Sequence, residues 1–248
     1  MFKTDLLKGK KMLITGGGSL ICEGIARTLV ARGWHVVVTD INLDGAKHVV
    51  AQCEGPGRAE ALHLDATKPE QVESVVKDVL ARHGRIDGLV NGAGGGRGIG
   101  FPKTPFVKMT RDFWTRMLDA NLNSMLNVTH AVLPSMIENR SGAIVSIAAG
   151  RGLKGGPDAS IYSAAKAAII VFAQSVAQEV GKHNVRINTI APGNAEARWK
   201  KPNDAARSPL GRNTNADDVG KGVAFLLSEE ACHITGSCLD LSGGTSLH

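Results

Sequence analysis

The stretch MLITGGGSLICEGIARTLVARGWHVVVTD, residues 12–40, decides the fold. An apolar run ends in a glycine cluster, an amphipathic stretch of helical period follows, and a second β-branched run closes on an acid. That succession reads as strand, tight turn, helix and strand, the opening of a nucleotide-binding α/β fold. Gly16 follows the first strand and a helix starts near residue 20, so the backbone N–H groups at its N-terminus point where a pyrophosphate could sit. Asp40 ends the second strand 24 residues after Gly16, the place where a carboxylate accepts hydrogen bonds from the adenosine ribose. A carboxylate there repels a 2′-phosphate, so NAD is expected rather than NADP. Asp65 ends the third strand, within reach of an adenine.

The rest of the chain continues the alternation. Strands are expected at about 11–15, 35–39, 59–64, 86–90, 143–148, 185–190 and 237–241, with helices between them. TKPE at 67–70 reads as a capping box with Thr67 as N-cap, and long helical patterns cover 110–138, 159–181 and 215–228. The expected architecture is α/β: one Rossmann-like, doubly wound parallel sheet of seven strands with helices on both faces, a single domain over residues 1–248. The polar, Pro-containing segment 193–214 is the expected substrate lid.

Composition narrows the class. With 43% hydrophobic and 21% charged residues the chain reads as a compact enzyme, not a disordered or fibrous one. No signal-peptide core opens it and no run of 18 apolar residues occurs, so a cytoplasmic protein without a membrane partner is expected. The net charge of +6 is scattered and without aromatic interleaving, which argues against nucleic acid and suits a small anionic molecule. Four cysteines lie far apart and eight histidines show no metal-ligand spacing, so free thiols and no metal are expected.

IYSAAKAA places Tyr162 and Lys166 one helical turn apart on a shared face. An ammonium beside a phenol favours phenolate, which predicts a lowered Tyr162 pKa and a general acid/base for an alcohol/ketone couple. Tyr162 is the only tyrosine in the chain. This pair, with TGGGSLICEGIA, Asp40, LDAT (64–67), LVNGAGG (89–95), ANL (120–122), YSAAK (162–166), VRINTIAPG (185–193), PLGR (209–212) and ITGSCLDLSGG (234–244), resembles the short-chain dehydrogenase/reductase family over nearly the whole chain.

The resemblance implies hydride transfer with a nicotinamide cofactor, a small-molecule substrate, and a homotetramer or dimer built through the long helices flanking strand five. It implies Tyr162 as acid/base, Lys166 on the nicotinamide ribose, and Asn121 as anchor of a proton-relay water. Gly16, Ser19, Leu20, Ile21, Asp40, Asp65, Asn91, Ala93, Gly94, Pro192 and Gly193 would line the cofactor, Asn91 near the adenosine ribose.

Four positions depart from the family pattern. Leu20 and Cys22 stand where glycines are expected, Ala197 where a carboxamide-binding threonine is common, and Ala149 where the family keeps its substrate-orienting serine, 13 residues before Tyr162. Ser146 lies roughly 10 Å upstream along the strand, and Ser160 is poorly placed. Losing one such donor costs about 100- to 1,000-fold in rate. Two readings stay open: an NAD-dependent oxidoreductase for a secondary alcohol/carbonyl couple, and a weakly active or non-catalytic member of the fold serving as a structural or regulatory subunit. Arg97 and Arg151, on loops after strands four and five, are candidate cations for an anionic substrate beside Ala149.

Overall fold

The first strand, β1 (Lys11–Thr15), is buried from Met12 to Thr15, and its successive side chains face opposite ways. Met12 and Ile14 enter one core cluster and Leu13 the other. A strand apolar on both faces needs a layer of helices on each side. The computed structural model, which describes residues 9–96, 100–193 and 208–246, has that arrangement.

After β1 come β2 (His35–Asp40), β3 (Arg58–His63), β4 (Gly88–Asn91), β5 (Gly142–Ile147), β6 (Val185–Pro192) and β7 (Cys238–Leu241). They form one parallel sheet in the order β3-β2-β1-β4-β5-β6-β7. On one face lie α1 (Leu20–Ala31), α2 (Leu43–Ala51) and α8 (Ala216–Leu227), which bury Ile25, Val49 and Val223 among others. On the other lie α3 (Pro69–His83), α5 (Ser124–Glu138) and α7 (Ser160–Val180), through Val76, Val132 and Val176. Two shorter helices, α4 (Arg111–Leu118) and α6 (Gly150–Leu153), complete the set among the described residues. The segment Ser160–His183, α7 and the turn after it, is long and apolar enough to cross a bilayer by length and composition, yet Ile169, Ala173 and Val176 pack it as a core helix.

Two local expectations change. Thr67 does not cap α3: the N-cap is Lys68, without a side-chain bond. The Thr67 hydroxyl instead donates to Asp65 Oδ1 at 2.6 Å, a stronger charge-assisted partner, and Pro69 opens the helix without needing a cap for its missing N–H. The helix expected over 110–138 is interrupted by a π-helical turn, Asp119–Asn123, the kind of single bulge that serves functional sites. Of the expected lid 193–214, residues 194–207 lie outside the described residues, as do Arg97 and Ala197.

The strand order turns back between β1 and β4, so the loops leaving these two strands diverge over a crevice at their carboxyl ends, where ligands bind in such sheets. Gly16 sits at the root of that crevice with φ +63°, and a Cβ on it would stand 2.5 Å from Ala93 Cα. Gly16→Ala therefore combines left-handed strain with a backbone clash, and should lower unfolding stability by at least roughly 1–3 kcal/mol in urea titration.

Candidate active site

The site is assembled from strand ends. Gly16 leaves β1, Asp40 ends β2, Asp65 follows β3, Asn91, Ala93 and Gly94 lie at and after β4, Ala149 and Arg151 follow β5, and Pro192 and Gly193 close β6. α7 brings Tyr162 and Lys166 to the same rim.

At the dinucleotide end, Ser19 is the N-cap of α1, its Oγ accepting from Cys22 N. Among the described residues nothing accepts from Leu20 N or Ile21 N, the donors a helix N-terminus offers to an anion. Leu20 is half-exposed and belongs to neither large core cluster, whereas Ile21 packs on the core with α1. Asp40 braces the turn, accepting from Gly18 N at 2.9 Å and from Asn42 N at 2.7 Å. Among the described residues Asp65 is engaged through Oδ1, with Thr67. The glycine turn, the free first-turn amides and the acid at the end of β2 fit a dinucleotide.

Cys22 does not enter the phosphate path. It is buried at 1% exposure, its thiol resting 3.9 Å from the Thr15 carbonyl, and burial pushes its pKa up to about 11. Its sulfur fills the space that a side chain at residue 92 would take, since a Cβ on Gly92 would overlap Cys22 Sγ and stand 2.7 Å from Thr15 O. The side chain added at 22 thus fills the space left by the glycine at 92.

Asn91 corrects the expectation of a ribose contact. The side chain is buried and its Nδ2 donates to Thr129 Oγ1 at 2.9 Å and Ser146 Oγ at 3.1 Å, which ties β4 to α5 and β5. Ser146, three residues before Ala149, is itself buried against Asn91, which leaves it poorly placed to substitute for the absent hydroxyl. Ser160 turns toward Met109 Sδ at 4.0 Å. Ala149 itself is extended (φ −164°, ψ 157°) and caps the short α6.

Asn121 lies fully buried in the π turn, accepting from Gly95 N at 2.8 Å and donating to Gly95 O at 2.9 Å and Met117 O at 3.0 Å. It fastens the loop after β4 to the helix. A polar side chain in a plain helix would have no such reciprocal partner. Arg151 lies against Gly156, where no side chain could be added without displacing the guanidinium.

Lys166 is 4% exposed, and its Nζ donates to the Ile147 carbonyl at 2.9 Å and stands 5.8 Å from the centroid of the Tyr162 ring. The Ile147 anchor, a backbone group, leaves no trace in a sequence. Burial lowers the Lys166 pKa to about 8. The expectation of a lowered Tyr162 pKa is not met: burial raises it. At this spacing the cost of drying the phenolate exceeds what an ammonium, itself weakened by burial, returns.

Parallel sheet, glycine turn at the switch point and a tyrosine–lysine pair on the helix after β5 define a nicotinamide-type oxidoreductase. The family described as Enoyl-(Acyl carrier protein) reductase matches residues 18–246. The 3-oxoacyl-[acyl-carrier-protein] reductase FabG of Thermotoga maritima is 34% identical over 246 residues, covering 96% of this chain and 98% of its own. A short-chain type dehydrogenase/reductase from Mycobacterium ulcerans superposes with a TM-score of 0.90 at 28% identity, over 97% of this chain and 91% of the other. The 3-ketoacyl-(acyl-carrier-protein) reductase from Brucella melitensis complexed with NADH gives a TM-score of 0.87 at 27% identity, over 97% and 100%. The chain belongs to the short-chain dehydrogenase/reductase family.

Two measurements follow from the geometry. Gly92→Ala should destabilise by roughly 1–3 kcal/mol through overpacking; adding Cys22→Gly should recover part of that, a coupling of about 0.5 kcal/mol or more in a double-mutant cycle, and strictly additive losses would contradict this packing. The cationic form of Lys166 is lost as pH rises through about 8 while the Tyr162 phenol stays protonated. Reductive kcat/KM, which reports the free enzyme, should therefore fall about tenfold per pH unit above that value; a profile flat to pH 10 would show that Lys166 does not act as a cation.

Proposed function

We propose that the chain is an NAD(H)-dependent reductase or dehydrogenase interconverting a secondary alcohol and a ketone, with a 3-oxoacyl thioester as the class its relatives point to. The observation carrying this reading is the Tyr162–Lys166 pair, with the lysine fixed on the Ile147 carbonyl. When bound, a nicotinamide would supply a hydride for the carbonyl carbon in reduction, or accept the hydride of the carbinol carbon in oxidation. Tyr162 Oη gives its proton to the carbonyl oxygen in reduction, a role that its raised pKa suits because the phenol stays protonated at neutral pH. Lys166 adds positive charge beneath the developing alkoxide and is placed for the nicotinamide ribose. Asn121 acts by holding the loop after β4 in position for both ligands, and a relay water would be anchored at the same turn.

Ser19, Leu20 and Ile21 would meet the pyrophosphate with Gly16, Asp40 the adenosine ribose, and Asp65 the adenine. Ala93, Gly94, Pro192 and Gly193 would line the path between the adenosine and nicotinamide ends. The Asp40 carboxylate opposes a 2′-phosphate and favours NAD, and the Brucella relative, whose structure holds NADH, is in keeping with that. Arg151, with Arg97, would meet the anionic end of the substrate. A homo-oligomer and a cytoplasmic location accord with this reading.

Ala149 favours a second reading, a weakly active subunit, because neither Ser146 nor Ser160 supplies the missing hydroxyl. Titration with NADH, followed by nicotinamide fluorescence, separates the two: saturable binding supports the enzyme, and no binding at millimolar cofactor removes it. Ala149→Ser should raise kcat/KM for a simple ketone by about 100- to 1,000-fold if the missing donor limits the site, and Tyr162→Phe in that background should abolish the gain.

A further inference from the structure

At the amino ends of the strands, opposite the rim that carries Tyr162, three elements bring together side chains that no sequence spacing connects. His35 begins β2, Glu60 lies on the edge strand β3, and His83 ends α3. Val37 belongs to the cluster covered by α3, α5 and α7; His35 lies two residues before it on β2 and Glu60 pairs with it across β3, so all three groups share that face. His83 Nε2 is 2.7 Å and His35 Nε2 is 3.5 Å from Glu60 Oε1, with the imidazoles edge to face at 4.6 Å between centroids. One ligand atom from each lies within 4.8 Å of the others.

We propose that His35, Glu60 and His83 bind a divalent transition metal of the zinc type, with water in the fourth position, as a staple joining the edge strand and the end of α3 to β2. Tetrahedral ligands at about 2.0–2.2 Å from a metal stand roughly 3.4 Å apart, so the His35–Glu60 pair is already at that separation and His83 must withdraw by roughly 0.7 Å. The second oxygen of Glu60 is held by Arg82 at 2.7 Å, and Arg82 by Asp78 at 2.9 Å, an outer shell that fixes the carboxylate. His83 lies in the last turn of α3, the negative end of the helix, a placement that favours a cation beside its ring. Lys11, Arg58 and Arg82 oppose a positive ion, which limits affinity and makes it rise with salt. The proposal departs from the sequence expectation of no metal site, because the triad exists only once β2, β3 and α3 are packed.

The test uses the untagged full chain titrated with Co2+ and with Zn2+. One equivalent of Co2+ should develop the visible bands of a four-coordinate ion, and Zn2+ should raise Tm in a saturable way while leaving NADH binding unchanged. His35→Asn, Glu60→Gln and His83→Asn should each weaken binding at least as much as the roughly 10–100-fold typical of outer-shell losses. Electron paramagnetic resonance of the Cu2+ form of the unaltered chain should count two nitrogens and needs no variant. Absence of stoichiometric binding, a Cu2+ signal without two nitrogens, or undiminished binding in the His35→Asn/His83→Asn double variant would overturn the proposal.

Discussion

A cation buried to 4% exposure, with one hydrogen bond to a strand carbonyl, is an expensive arrangement, and the geometry of the site follows from it. For Lys166 to reach the Ile147 carbonyl, α7 must lie close against the end of β5, and that places Tyr162 one turn earlier over the same rim. The cost of burial appears as a lysine that titrates near 8, far below its ordinary value. Packing alone would select an apolar residue here. A lysine in such a place is a candidate functional residue on physical grounds, before any likeness to other proteins is considered.

Much of the fold could be read before the structure. β1 and β2 are apolar on both faces, and that pattern has few solutions other than a parallel sheet with helices on each side. The Gly16–Asp40 interval and the Tyr162–Lys166 turn are local spacings, and they hold their places. Other features were not legible because they are tertiary. The π turn at Asn121 exists because its amide clasps Gly95, which lies on another segment. Asn91 looked like a ligand contact by position, yet strand alternation directs it inward to Thr129 and Ser146. Thr67 had the right residue type for a cap, and a nearby carboxylate simply outcompeted the helix for its hydroxyl.

The departures from the family pattern divide by the same logic. Cys22 Sγ occupies the space that a side chain at Gly92 would take, so the turn stays filled at that point. The Leu20 amide has no acceptor among the described residues, and its side chain stays half-exposed, outside both large core clusters. Ala149 differs from these, because Ser146 and Ser160 are turned to other partners. The sequence counts its four departures alike, and only the packing separates a position with a compensating neighbour from one without.

Cys22 carries one more consequence. Its thiol is sealed beneath the turn between β1 and α1 and held protonated by its dry surroundings, so an alkylating reagent in solution meets neither an accessible sulfur nor a thiolate. Chemistry at that sulfur requires the turn to lift from the sheet. The chain thus contains an internal clock for breathing of its own nucleotide cradle, one that any ligand bridging the cradle would slow.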